Sequence, residues 1–462
     1  MMLQLANKHV LVLGLGDTGL SALRWLSRQG ARLTVADTRE EPPGVQQLRA
    51  ELPQVGMHLG PFSDQVFAQA ELIVSSPGVA LSKPQIQNAL KRGVPVVGDV
   101  ELFAQHKPAS AKVIAITGAN GKSTVTTLVG AMCEAAGLKT VVAGNIGLPV
   151  LDTLAMPTPE VYVLELSSFQ LETTHTLAAS AATVLNISED HMDRYAGMDD
   201  YAAAKARIFQ GAGVQVLNRQ DEYSRAMAID GRKQISFGND APPTAEDYGL
   251  LPAQDDTWLM HGDTRLLATS ELRISGLHNA GNALAALALC RAIGLPHAPL
   301  LDALREFPGL PHRVEWVAEI GGVAFYDDSK GTNVGATCAA LDGLTDKGRP
   351  QKAVLIAGGD GKGQDFTPLR EAALRNARAV VLIGRDAPQI AAALEGSAIP
   401  LLSAASLEQA VNSAFAAAQP GDAVLLSPAC ASFDMFHNYV HRAQVFVDAV
   451  KQLAGSHRGA AA

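Results

Sequence analysis

KVIAITGANGKSTVTTLVG, residues 112–130, sets an apolar run, a glycine turn and a helix opened by serine and threonine in one line. Gly118 and Gly121 let the backbone turn tightly, so several N–H groups converge on one anion at the positive end of the following helix. Lys122 is placed to reach β- and γ-phosphates, and the Ser123 hydroxyl to bind Mg²⁺. The expected ATP cradle is therefore Thr117, Gly118, Ala119, Asn120, Gly121, Lys122, Ser123 and Thr124. The strict G-x-x-x-x-G-K-[ST] pattern asks for glycine where Ile116 stands, so this is a variant loop. An ordinary strand–turn–helix corner with a surface lysine is the bland alternative.

Outward from this loop, short β-branched runs alternate with Ala/Leu-rich helical stretches, the pattern of parallel sheets covered by helices. HVLVLG (9–14), RLTVAD (32–37) and LIVSSPG (72–78) read as strands of a first unit. KVIAITG (112–118), TVVAGN (140–145), VYVLELS (161–167) and ATVLNIS (182–188) form a second series. VAFYDDS (323–329), AVLIAGG (353–359), AVVLIG (379–384) and AVLLSP (423–428) form a third, closed by a helix near 439–453 and a frayed tail at 455–462. The helix 279–293 is apolar all round and reads as buried. At 462 residues the chain is too long for one core. Pro- and Gly-bearing joints at 105–112 and 307–313 divide it into an α/β unit at 1–107, a central P-loop domain at 108–311 and a third α/β unit at 312–462.

Bulk properties narrow the function. The net charge of −9 argues against a broad surface for DNA or RNA. The N-terminus lacks a secretory order, and the apolar run near 282–293 is too short to span a bilayer. The 4 cysteines are scattered without metal spacing, so reduced thiols and a cytoplasmic setting are expected.

Residues 14–19 read GLGDTG, a complete G-x-G-x-x-G, and Asp37 stands near the distance expected of a ribose-binding acid. A nicotinamide or flavin dinucleotide fits that motif. So does another diphosphate, because the helix N-terminus recognises pyrophosphate rather than nicotinamide. Thr38 and Arg39 add donors for a charged ligand, and a dehydrogenase has no need of a second, ATP-handling loop. A glycine turn kept for helix–sheet packing is the third reading.

Glu165 ends one strand run and His191 follows another, where ligands of α/β proteins gather. Beside a phosphate loop, the pair favours a metal site over a strand-end acceptor and a loop histidine. Lys205 in YAAAKARIF is, by spacing alone, an ordinary amphipathic lysine.

TGANGKSTVTTL, GNIG (144–147), LELSSFQLE (164–172), NISEDHMDRY (186–195), the Lys205 segment, HNAGNALAA, FPGLPHR, YDDSKGTN and LIAGGDGKGQDF occur in the order seen in the Mur ligase family. The chain resembles that family over essentially its whole length. Its opening GLGDTGLS, DTR (37–39) and SSPG (75–78) look most like the branch that adds D-glutamate. Gly331 stands where alanine is usual. The resemblance implies Rossmann-like first and last domains around the ATP domain. It implies a ligase, working as a monomer, that joins D-glutamate to UDP-N-acetylmuramoyl-L-alanine through an acyl phosphate. A related amide ligase using another amino acid is the near alternative, and an NAD(P) oxidoreductase the distant one. By motif matching, Asp17, Thr18, Asp37, Thr38, Arg39, Gly78, Asn145 and His191 face the UDP substrate. Asn279, Asn282, Arg313 and Asp328 join the ATP site. Lys330, Thr332, Lys362, Ser427 and Phe433 form the amino-acid pocket. Ser123, Glu165, His191 and a carbamylated Lys205 serve two Mg²⁺ ions, and Lys122, Asn145, His191 and Lys205 are the catalytic set.

Overall fold

Gly19 shows what the first glycine motif does structurally. A Cβ there would sit 1.9 Å from the Gly14 carbonyl oxygen, so only glycine lets the helix Asp17–Arg28 start this close to the strand His9–Leu13. The computed structural model describes residues 3–254, 256–274, 276–345 and 352–460. Around that first turn, five parallel strands are ordered Gly56–Leu59, Arg32–Asp37, His9–Leu13, Leu72–Ser75, Val96–Val97. Val10, Leu11, Val12 and Leu13 are fully buried, as strands covered on both faces require.

The second sheet has nine strands. Thr140–Gly144, Val161–Glu165, Lys112–Thr117, Ala181–Val184, Val214–Asn218, Gln234–Phe237 and Tyr248–Pro252 run parallel across it. The phosphate-loop strand lies inside this sheet, so its C-terminal end opens between its neighbours' ends. That is where a parallel sheet places its ligands. The helix Leu277–Ala292, apolar all round as its sequence requires, is buried from Ala283 to Cys290 and packs on the phosphate-loop helix Lys122–Ala135. Each fully buried leucine in it is worth about 1.5–3 kcal/mol against exposure.

The third sheet is ordered Glu315–Ile320, Val323–Asp327, Ala423–Leu426, Ala353–Gly358, Ala377–Ile383, Leu401–Ser403. The expectation of parallel pairing alone fails at two places. Thr257–His261 and Thr264–Ala268 fold back antiparallel on the second sheet, and Glu315–Ile320 does so on the third. Two-residue loops, Gly262–Asp263 and Gly321–Gly322, join Thr257–His261 to Thr264–Ala268 and Glu315–Ile320 to Val323–Asp327; a pair this short joins antiparallel strands and cannot cross over. The terminal helix also runs further than expected, Tyr439–Ala460, through the segment read as a frayed tail; residues 461–462 lie outside the described residues. No helix among the described residues is long and apolar enough to cross a membrane.

Candidate active site

The phosphate loop holds two lysines against the same carbonyl. Lys122 Nζ donates to Gly118 O at 2.8 Å and Ala119 O at 2.9 Å, and Lys205 Nζ donates to Gly118 O at 2.9 Å. Lys205 is only 1% exposed on the helix Met198–Ala206, with its ammonium 4.6 Å from the Tyr201 ring centroid. Burial, reinforced by the charge on Lys122, drives its pKa well below the usual lysine value. The amphipathic surface lysine allowed by spacing alone is thus a core residue. Thr117 is fully buried at the strand end, its hydroxyl 3.4 Å from Lys205 Nζ.

Glu165, at the end of its strand, accepts a hydrogen bond from Asn145 Nδ2 at 2.7 Å through Oε1. Its Oε2 is buried with no hydrogen-bond partner. A buried carboxylate oxygen left this way is costly unless a cation reaches it. With Ser123 opening the adjacent helix, this donor set suits a hard divalent ion such as Mg²⁺. His191 takes a left-handed conformation with φ 58°, its ring 4.7 Å edge-on to Phe169 and 3.6 Å from the Asp190 carboxylate. Burial, with the charges of Lys362, Lys122 and Lys205 outweighing Asp190, lowers its pKa to about 4, so the imidazole is neutral at physiological pH.

A cavity of about 250 Å³ opens between the middle and last domains, lined by Asn120, Gly121, Thr124, Asn279, Asn282, Arg313 and Asp328. Asn279 and Asn282 share the first turns of the buried helix and contact each other at 3.2 Å. Arg313 Nε is buried without a hydrogen-bond partner, a donor suited to phosphate. Asp328 is pushed up to about 7 by burial, although Ser427 Oγ donates to its Oδ2 at 2.6 Å.

A second cavity of about 480 Å³ is lined by Asp17, Thr18, Asp37, Thr38, Arg39 and Gly78 of the first domain and by Asn145 and Gln170 of the middle one. Asp37 accepts from Leu15 N at 2.7 Å, Arg39 N and Nε at 2.9 Å and Arg39 Nη2 at 2.7 Å. Burial opposes its charge, but these bonds overcome it and hold the carboxyl below the ordinary range. The acid that a dinucleotide ribose would need is thus engaged by its own neighbour.

From the last domain, Lys330 Nζ reaches Ser123 Oγ at 3.0 Å, its pKa lowered to about 8 by burial. Lys362 Nζ is hydrogen-bonded to Asp190. Thr332 is half-buried beside Lys330. Ser427 is fully buried behind Asp328, and Phe433 projects outward, 74% exposed. His191 lines neither cavity. Sequence reasoning passed over Asp190, Gln170 and Asn186. Asn186 Oδ1 accepts from Asn120 N at 2.8 Å, and its Nδ2 donates to Asn120 O at 3.1 Å, bracing the phosphate loop. All three stand inside the quoted motifs, but only Asn186, just past the strand Ala181–Val184, offered a signal of its own as a polar residue at a strand end.

Three ordered domains, a braced phosphate loop and two cavities, one of them reaching Asn145 and through it Glu165, describe an ATP-dependent ligase, and the chain belongs to the Mur ligase family. Residues 8–98 match the family's MurD-like N-terminal domain, 116–290 its middle domain and 312–430 its glutamate ligase domain. The chain is 66% identical over 452 residues to the UDP-N-acetylmuramoylalanine--D-glutamate ligase of Methylobacillus flagellatus, covering 98% of each. To the enzyme of that name from Thiobacillus denitrificans it is 60% identical over 471 residues, again covering 98% of each. In fold it is similar to MurF of Acinetobacter baumannii, with TM-score 0.62, 17% identity and 95% and 93% of the two chains covered. It is likewise similar to the UDP-N-acetylmuramate-alanine ligase MurC of Thermotoga maritima, with TM-score 0.60, 20% identity and 96% and 99% covered.

Proposed function

We propose that this protein uses ATP to join D-glutamate to UDP-N-acetylmuramoyl-L-alanine in peptidoglycan precursor synthesis. The observation that carries the reading is the position of Asn145. It lines the first-domain cavity and hydrogen-bonds Glu165 beside the phosphate loop. A UDP substrate lying in that cavity, its diphosphate toward the helix beginning at Asp17, brings its free carboxylate to Asn145 at the other end. ATP in the cavity between the middle and last domains has its phosphates over Lys122 and its ribose toward Asp328.

The carboxylate oxygen attacks the γ-phosphorus, the bond to the β-phosphate oxygen breaks, and ADP leaves an acyl phosphate. The D-glutamate amine then adds to that carbonyl, loses its extra proton, and expels inorganic phosphate as the amide forms. Lys122 and Arg313 neutralise charge on the transferred group, and the domains hold the reactants in line. Lys330, Thr332, Lys362, Ser427 and Phe433 are assigned to the amino acid; two lysines suit its two carboxylates. Two Mg²⁺ ions, held by Ser123, Glu165, His191 and Lys205, would supply positive charge to the reacting phosphate oxygens. A lysine serves there only as a carbamate. The buried amine of Lys205, with its depressed pKa, is readily uncharged; its nitrogen adds to the carbon of CO₂ and loses a proton, leaving an anionic oxygen ligand.

The test is phosphate release with UDP-N-acetylmuramoyl-L-alanine, ATP, Mg²⁺ and D-glutamate, each omitted in turn, with L-glutamate as control. Release that needs all four and ignores L-glutamate is the expected result. Turnover without triphosphate, or equal use of another amino acid, overturns the assignment.

A further inference from the structure

The phosphate loop does not spend the Asn120 side chain inside its own domain alone. Asn120 Nδ2 donates to Ser188 Oγ at 3.3 Å, while Asn120 Oδ1 accepts from Asn333 Nδ2 of the last domain at 3.1 Å. Asn333 is 2% exposed and cannot swing aside. Its Oδ1 accepts from Ala336 N at 2.9 Å, and the next residue's amide, Val334 N, donates to Gln364 Oε1 at 2.9 Å.

A second, independent feature marks the same contact. At Gly335 a Cβ would lie 3.1 Å from Asn120 Nδ2 and 3.2 Å from Ser188 Oγ, so the absence of a side chain lets this helix start touch the loop. Asn333 also follows directly on Lys330 and Thr332, assigned above to the incoming amino acid.

We infer that Asn333 is a positioning residue: with Gly335 it clamps Asn120, so that docking of the amino-acid domain sets the phosphate loop in its working shape. The inference rests on the ligase reading and adds to it a role for residues outside either substrate's pocket. The Asn120 side chain, in this state, reports closure rather than gripping phosphate.

Asn333→Ala removes the donor, and Gly335→Ala forces the same two surfaces apart while adding helix propensity. For both, KM for ATP and for D-glutamate should rise roughly tenfold, the upper end of what one buried neutral hydrogen bond supplies. KM for the UDP substrate, whose cavity shares no residue with the clamp, should stay within twofold. Gly335→Ala should keep or raise Tm, which a merely structural lesion would lower. ATP affinity measured directly by calorimetry should fall by a similar factor in both variants. Unchanged ATP affinity in both, or a parallel rise in all three KM values, refutes the clamp. A wild-type protein that releases no phosphate with these substrates removes the ligase reading instead, and the calorimetric comparison still judges the clamp.

Discussion

Asp328→Asn should make the last domain more stable at pH 8 while weakening ATP binding, and the size of both effects can be worked from its surroundings. Asp328 is 4% exposed, and burial lifts its pKa from 3.8 to about 7. The folded state therefore keeps a proton that the unfolded chain has lost between about pH 4 and 7. Stability falls as pH climbs through that window, and above it the whole contribution is gone. About three pH units at ~1.36 kcal/mol each give an upper bound of about 4 kcal/mol. An asparagine fits without new orphans. Its Oδ1 can face the Val314 amide, and its Nδ2 can donate to Ser427 Oγ once that hydroxyl turns to Thr337 Oγ1, 3.0 Å away. The variant should therefore match the wild type near pH 4.5 and exceed it by about 2–4 kcal/mol at pH 8. A three-domain chain does not unfold in two states, so the measurement is hydrogen exchange on the strands Val323–Asp327 and Ala423–Leu426 at both pH values. Loss of an ionised partner for the ribose should cost about 1.5–3 kcal/mol of ATP affinity, roughly 10- to 150-fold. A stability gap that is the same at both pH values, or that opens in the wild type's favour as pH rises, refutes the reasoning.

Three further outcomes are expected. Glu101 is 1% exposed and accepts from His175 N at 2.6 Å, Thr176 N at 2.9 Å, Thr176 Oγ1 at 2.8 Å and Gln105 Nε2 at 2.7 Å. Its pKa is lowered, because these bonds outweigh the burial that opposes them, so its stabilisation is present at neutral pH and lost as pH falls through the folded value. Glu101→Gln sets an amide N–H against buried donors and should cost about 2–4 kcal/mol at pH 7, narrowing toward acid; hydrogen exchange on the helix Asp99–His106 of both proteins at pH 4 and 7 checks this. Lys122→Ala should lower kcat for phosphate release by roughly 10²–10³-fold, and near-normal amide formation would remove the phosphate-loop assignment. Lys205→Ala should be inactive and recover activity with a small added carboxylic acid; failure of every such acid counts against the carbamate.

The parallel frame was legible because its central strands are short β-branched runs ending in glycine or a polar residue, while GMHL, YGLLP and LLS, which carry no β-branched residue, were not read. HVLVLG and KVIAITG announce their own ends, and the apolar helix beneath the phosphate loop could lie nowhere but inside. The antiparallel returns were missed because TWLMH and EWVAEI carry polar and aromatic residues that fit no buried strand, although Gly321–Gly322 was a hairpin signal in plain view. At the site, Lys122 and Glu165 could be chosen from motif chemistry alone, and Arg313 only from the family resemblance. Lys205 could not: its helix alternates small residues that look amphipathic, and only the fold shows that its inner face lies under the loop. Asp190 and Asn333 were invisible for a related reason, since each finds its partner on another domain, more than a hundred residues away in the chain.

The same separation explains why the centre tolerates groups that a stable core would reject. Glu165 Oε2 and Arg313 Nε are both buried with no hydrogen-bond partner from the chain, one an acceptor suited to a cation, the other a donor suited to an anion. Each leaves a desolvation cost of order 1–3 kcal/mol with nothing in the chain to offset it. Neither could be met by the other's partner without closing the space between them. A polyphosphate accompanied by a divalent cation meets both at once, anionic toward Arg313 and Lys122, cationic toward Glu165. Such a ligand offsets both costs on binding. Asn333 and Lys330 already hold the last domain against the phosphate loop, so those charges meet donors and acceptors set in place.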